Sequence, residues 1–380
     1  MTLQSDPYRD LTLLVDGREA FPEILRCISE ARKSITVNMF IWRDDAIGNR
    51  IARALLDAAR RGVSVDISVD RYGVVLEKAE ESKRSFFHKR QTLSERVKIR
   101  ALELVYPMPN APRRARDVES ELYLDFISHP NIRVSRDVFK ADHSKYYIID
   151  GEILILGGIN IEDKENGSDM QGRVYGDYMV KLSGARYVEA FCEKLAGRDA
   201  RLGGVSFGIN TKETSPRLFE MEARYLDMIA SAERELYITM AYFSPLKKFV
   251  RAILDAHRRG VRVCITIPSR ANFQNDTNRR TVRRLLHESS GGIEVLLSPK
   301  MLHTKLIATE KQISLGSTNI TKKAFGQLSE LNLFVDSVES EFVSRLRSDM
   351  AENRRVSKRM CDPHDIKYNP IKAFVEGFLV

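Results

Sequence analysis

Asp142-His143-Ser144-Lys145-Tyr146-Tyr147-Ile148-Ile149-Asp150-Gly151, followed by Gly157-Gly158-Ile159-Asn160, is the stretch around which the chain is organised. The apolar run after His-x-Lys reads as a strand entering a turn. Side chains two apart on a strand share a face, which puts His143 and Lys145 together. A returning strand over 152–156 brings Asn160 near the same face. An imidazole, an ammonium and an amide then converge. That set suits a phosphoryl group, with one nucleophile or proton carrier and two donors for the non-bridging oxygens.

A lone His-x-Lys carries little weight in a chain with 61 Lys+Arg. A second copy carries much more. His303-Thr304-Lys305 is followed by Gly316-Ser317-Thr318-Asn319, and in both copies an acid, Asp150 or Glu310, stands five residues after the Lys. Asn160 follows His143 by 17 residues and Asn319 follows His303 by 16. The duplication extends beyond the motif. ALLDAARRGVSVDISV (54–69) aligns without gaps to AILDAHRRGVRVCITI (252–267), with 10 of 16 positions identical. Each copy reads as a helix ended by Gly62 or Gly260 and followed by a strand.

Read in order, the chain gives a strand over 11–16, a helix over 19–33, a strand over 34–42, a helix over 46–61 and a strand over 63–69. The second half repeats this with a helix over 218–234, a strand over 236–243, a helix over 246–259 and a strand over 261–267. The expected architecture is α/β. Two pseudo-two-fold-related halves, 1–210 and 211–380, each carry a mixed β-sheet flanked by helices.

The duplicated helix–strand units are 198 residues apart and the two histidines only 160, so the first half holds about 38 extra residues, placed at 76–118. This segment has 11 Lys/Arg against 6 Asp/Glu and includes Phe86-Phe87-His88-Lys89-Arg90 and Val105-Tyr106-Pro107-Met108-Pro109. Basic residues among apolar ones suit an interfacial segment, the alternative being a flap packed on its own domain. The tail 368–380 is amphipathic and either docks on the body or touches a membrane. The helix over 277–287 is basic, with Arg279, Arg280, Arg283 and Arg284.

With a net charge of +9, the chain favours polyanionic partners, nucleic acid or an anionic membrane surface. No run reaches the roughly 18 to 20 apolar residues needed to span a bilayer. Cys27, Cys192, Cys264 and Cys361 lie far apart without a CxxC pattern and read as buried free thiols. No HExxH or Cys/His cluster points to a metal, and no cofactor is expected.

Two such sets support two-step covalent catalysis. One His attacks phosphorus, and the other protonates the leaving oxygen and later deprotonates the acceptor. Lys145, Lys305, Asn160 and Asn319 hold the equatorial oxygens. Each His needs an acceptor at its other ring nitrogen. The candidates are Asp177, 34 residues after His143, and Glu330, 27 after His303. Asp150 and Glu310, at the far end of the strand, are expected to serve a turn or an ion pair.

These residues resemble the phospholipase D superfamily, whose mark is a duplicated His-x-Lys-x4-Asp with Gly-Gly/Ser-x-Asn downstream. The first copy fits in full; the second departs at Glu310. Phe40-Ile41-Trp42-Arg43-Asp44-Asp45-Ala46-Ile47-Gly48 and the acidic loop after Asn160 are similar to the bacterial cardiolipin synthase branch. The resemblance implies His143 as nucleophile and His303 as acid/base. It implies transfer of a phosphatidyl group from a phospholipid such as phosphatidylglycerol to a lipid alcohol. The protein would then be cytoplasmic and peripherally attached to a membrane. Phospholipid hydrolysis and nucleic-acid phosphodiester cleavage are the alternatives.

Overall fold

The computed structural model describes residues 6–80, 84–87, 92–106, 120–136 and 140–379. The first half contains strands β1 (Leu11–Val15), β2 (Ser34–Met39), β3 (Ser64–Val69), β4 (Ile132–Ser135), β5 (Tyr146–Ile149), β6 (Ile153–Gly157) and β7 (Tyr178–Ser183). The second contains β8 (Val205–Thr211), β9 (Glu235–Met240), β10 (Arg262–Pro268), β11 (Glu294–Ser298), β12 (Lys305–Thr309), β13 (Gln312–Gly316) and β14 (Glu330–Asp336). The first sheet runs β1-β7-β6-β5-β2-β3-β4, and the second repeats that order strand for strand as β8-β14-β13-β12-β9-β10-β11, with short strands added at its edges. In both, the two motif strands are antiparallel to their neighbours and the next three strands are parallel, so each sheet is mixed. The crossover comes before residue 210, because β8 already pairs with β14 in the second sheet.

Helices α1 (Asp16–Glu30), α2 (Ala46–Arg60), α3 (Arg71–Ala79), α4 (Leu93–Val105), α5 (Glu121–Ser128) and α6 (Ala185–Leu195) belong to the first half. Helices α7 (Met221–Ser231), α8 (Lys247–Arg258), α9 (Asn275–Glu288), α10 (Lys322–Gly326), α11 (Glu341–Val356) and α12 (Pro370–Leu379) belong to the second. The repeated Arg-Gly after α2 and α8 has a physical explanation. Gly62 and Gly260 take φ of 97° and 89°, open only to glycine at little cost. The preceding Arg61 donates to the Ile28 and Ser29 carbonyls at the end of α1, and Arg259 does the same to Ile229 and Ala230 at the end of α7. Each arginine thus satisfies carbonyls that a helix end leaves open.

Burial falls into three layers. Outer cores lie beneath α1, α2 and α5 in one half and α7, α8 and α9 in the other. A central core joins the inward faces of both sheets, with Leu154, Leu156 and Val180 meeting Leu306, Leu315 and Leu333, and α6 and α11 closing its edges. The two halves are therefore fused through shared apolar surface, which makes their relative position part of the fold.

Several expectations change here. Between β3 and α5 the first half carries α3 and α4, which the second half lacks between β10 and α9. Phe86 and Phe87 are not interfacial, however. Both are buried, stacked on or edge-on to Trp42 and packed with Phe126. A planar, polarisable ring cluster of this size belongs in the core because of the apolar area it removes from water. The stretches 88–91 and 107–119 lie outside the described residues. The tail packs on the body through one side, while Ile371 and Phe374 on its other side stay exposed. Thr277 N–H donates to Glu376, and the Thr277 hydroxyl to the Ala373 carbonyl. All four cysteines are free thiols, but only Cys27 and Cys264 are buried; Cys192 and Cys361 are exposed.

Candidate active site

The histidines do not sit within their strands. β5 begins at Tyr146 and β12 at Lys305, so each His precedes its strand. What fixes them is backbone pairing across the two halves. His143 N–H donates to the Ser329 carbonyl at 2.8 Å, and Ser329 N–H to the Ala141 carbonyl at 2.9 Å. The second half mirrors this: His303 N–H donates to the Gly176 carbonyl at 2.8 Å, beside a short parallel pairing of Met301 and Leu302 with Tyr175 and Gly176.

This crossing changes the acceptor assignment. His143 Nδ1 lies 3.2 Å from Glu330 Oε2 and 3.1 Å from the Ser317 carbonyl. His303 Nδ1 lies 3.0 Å from Asp177 Oδ2. Each imidazole is held by the carboxyl of the other half, so the expected pairs His143–Asp177 and His303–Glu330 are exchanged. The reason is geometric. Each acid is one residue beyond the one that pairs with the opposite His backbone.

Both histidines and both asparagines line one pocket between the halves, about 750 Å³ with its open mouth. Lys145 and Lys305 are buried behind it, and each ammonium donates to the carbonyl of the His two residues before it. Asn319 Oδ1 accepts from Tyr242 N–H at 3.2 Å. A Cβ at Gly158 would lie 2.2 Å from Asp177 Oδ2, so a side chain there would displace the carboxyl. The matching residue is Ser317, whose hydroxyl donates to Glu330.

Burial sets the electrostatics. It pushes both imidazoles well below their ordinary pKa, with repulsion from Lys145 and Lys305 adding to the effect. Lys145 falls to about 7 through burial and the nearby Lys305. Glu330 rises to about 8 and Asp177 also rises, both chiefly through burial. Because the Ser317 carbonyl can only accept, His143 Nδ1 must carry the proton. Its Nε2 then keeps a lone pair.

Asp150 and Glu310 lie apart from this site. Asp150 accepts the N–H groups of Arg32, Lys33 and Ser34 where β2 begins; Glu310 accepts those of Glu233, Arg234 and Glu235 where β9 begins. Their role is structural, as expected, but through backbone donors rather than an ion pair. The longer Glu serves the same three donors.

Other site residues were not foreseen. Glu165 is buried, with Oε1 3.5 Å from His303 Nδ1. Arg43, Glu80, Glu162 and Lys164 form a buried charged wall. Arg43 bonds Glu162 at 2.5 Å and Glu80 at 2.8 Å, and Lys164 bonds Glu80 at 2.5 Å. Burial alone would raise the Glu80 pKa, but Lys164 and Arg43 outweigh it and hold it low. Glu80 also accepts from Asn272 of the second half at 2.8 Å. The acidic loop was visible in sequence; its convergence with Arg43 was not. Asp45 and Asp163 explain that convergence. Asp45 accepts from Gly48 N–H and Asp163 N–H, while Asp163 accepts from Ile47 N–H. Together they pin the loop after Asn160 to the start of α2. Gly48 is needed there because a Cβ would sit 1.8 Å from the Arg43 carbonyl.

The family described as cardiolipin synthase, PLD-like domain, matches residues 24–172 and 225–353. The chain belongs to this family. It is a phospholipase D-superfamily enzyme of the cardiolipin synthase-like branch, and its two matched segments fall one in each half. Cardiolipin synthase B of Shigella flexneri is 26% identical over 90% of this chain and 79% of its own length. The major cardiolipin synthase ClsA of Bacillus subtilis is 23% identical over 90% of this chain and 69% of its own. Among solved structures, phosphatidylserine synthase of Haemophilus influenzae shares the fold with a TM-score of 0.69 at 14% identity, covering 98% of this chain and 93% of that one. No helix among the described residues of this phospholipase D-like chain is long and apolar enough to cross a membrane.

Proposed function

We propose that this protein is a phosphatidyltransferase of the cardiolipin synthase type. It moves a phosphatidyl group from a phospholipid such as phosphatidylglycerol to a lipid alcohol through a covalent phosphohistidine. The observation that carries this is the crossed pair of imidazoles in one pocket, each with Nδ1 held by a buried carboxyl. The His143 Nε2 lone pair attacks phosphorus while the bond to the leaving oxygen breaks. His303 supplies the proton to that oxygen. In the second step His303 takes the proton of the acceptor hydroxyl, whose oxygen attacks phosphorus and breaks the P–N bond. Lys145, Lys305, Asn160 and Asn319 stabilise the equatorial oxygens. In the empty pocket burial and the lysines hold both imidazoles neutral; the entering phosphodiester anion offsets that repulsion, so His303 takes up a proton from solvent as substrate binds, gives it to the leaving oxygen in the first step and regains one from the acceptor hydroxyl in the second. Asp177 then stabilises the imidazolium of His303.

A lipid substrate accords with the mixed character of the pocket, where Phe40, Ile41, Leu76, Phe273 and Leu328 lie beside the polar groups. The test is incubation with phosphatidylglycerol liposomes and, separately, with single-stranded DNA, followed by mass spectrometry. Cardiolipin and free glycerol are expected from the lipid. Phosphatidic acid alone would make the enzyme a hydrolase, and cleaved DNA with untouched lipid would reverse the substrate class. His143→Ala and His303→Ala should each lower turnover by about 10³-fold or more.

A further inference from the structure

Among the described residues the five most exposed large apolar side chains are Leu104 (84%), Leu93 (80%), Ile371 (76%), Val97 (69%) and Phe374 (62%). All five fall on two short helices, α4 and α12, which pack against each other. On α4 the spacing of 93, 97 and 104 puts the three in one stripe. The opposite side of α4 buries Ile99 and Leu102 against Val75 and Ala79 of α3. Arg96 and Arg100, both exposed, lie along the margin of the stripe. An exposed apolar stripe bordered by guanidinium groups is unfavourable in water and well suited to the boundary between head groups and acyl chains.

The position matters as much as the composition. α3 contributes Tyr72 and Leu76 to the pocket wall, and Glu80 just beyond its end contributes as well. Tyr106, which ends α4, packs edge-on against Phe273 at 4.8 Å and accepts from Gln274 N–H, and both of those residues line the pocket. The exposed stripe thus borders the rim of the active site.

We propose that α4 and α12 form a docking face for an anionic lipid bilayer, entered by Leu93, Val97, Leu104, Ile371 and Phe374 and steered by Arg96 and Arg100. This rests on the reading of the site as acting on phospholipid. Nucleic acid would meet the arginines but would leave the five apolar groups in water. A bilayer accommodates both.

The experiment is flotation with vesicles of phosphatidylglycerol and phosphatidylcholine, using the full chain. The triple variant Leu93→Ser/Val97→Ser/Leu104→Ser and the double variant Ile371→Ser/Phe374→Ser should each lower the bound fraction about tenfold. Arg96→Gln/Arg100→Gln should lower binding and reduce its salt dependence. Turnover of short-chain phosphatidylglycerol, supplied as monomers, is measured in parallel and should stay within about twofold of wild type, which also reports correct folding. Unchanged vesicle binding in the triple variant would overturn the docking face while leaving the functional reading intact. Loss of single-stranded DNA binding without loss of vesicle binding in the arginine variant would overturn it as well. Vesicle binding through this face with no turnover of any phospholipid would leave the face standing and remove the proposed function.

Discussion

The two halves share one strand order and one motif, yet their histidines sit in different surroundings. His143 has Phe40 edge-on at 4.8 Å, one carboxyl and one carbonyl at Nδ1. His303 has two carboxyls near Nδ1, Asp177 and Glu165, and the rings of Tyr175 and Tyr242 at 6.3 and 6.2 Å. A duplicated fold therefore delivers two chemically distinct imidazoles. The proposed mechanism assigns the proton carrier to His303, beside the larger set of carboxyls, and the nucleophile to His143. The halves also differ in bulk. Among the described residues only the first half carries helices in the place of α3 and α4, and only the first has a buried wall like that of Arg43, Glu80, Glu162 and Lys164.

The comparison breaks first at the carboxyls. Asp177→Asn should lose about 10²-fold or more on phospholipid and regain most of it on a phosphodiester with a nitrophenol leaving group, which departs without a proton. Glu330→Gln should lose similarly on both substrates, because in the proposed mechanism it supports the nucleophile His143. Equal rescue of both variants would refute the crossed division of roles.

Removing Phe86, which the extra segment contributes to the first-half core, comes next. Phe86→Ala should destabilise by about 3–5 kcal/mol, read from urea unfolding. Leu104→Ser on the same segment should stay within about 0.5 kcal/mol. Comparable effects would mean that the segment is not split into a buried anchor and an exposed helix.

Stability against pH sharpens the contrast further. Glu330 is raised in the folded state from 4.5 to about 8, so the folded chain binds the extra proton across that window. Its contribution is fully present below pH 4.5 and is lost as pH rises toward 8. Lys145, lowered from 10.5 to about 7, acts with the opposite sign above pH 7. Glu330→Gln should therefore flatten the decline in Tm between pH 5 and 7. A decline as steep as in wild type would place the titrating group elsewhere.

The smallest effects belong to the paired carboxylates away from the site. Asp150→Ala and Glu310→Ala should each lower stability by about 1–2 kcal/mol by removing an acceptor shared by three N–H groups, with turnover within about twofold. A large loss of turnover from Glu310→Ala alone would show that the Glu in the second copy has taken on a chemical role.

Much of this protein was determined locally and could be read from the chain. Strand and helix periods, the glycines after α2 and α8, and the two spaced His-x-Lys…Asn sets all follow from short-range rules, because backbone geometry and side-chain alternation act over a few residues. Tertiary structure decided what depends on contacts between distant residues. It exchanged Asp177 and Glu330 between the histidines, since His143 pairs with Ser329 and His303 with Gly176 across the fused halves. It sent Phe86 and Phe87 under Trp42 and left Leu93, Val97 and Leu104 in solvent. A run of mixed basic and apolar residues does not specify which apolar groups find a partner; only the packed surface against which the segment lands does.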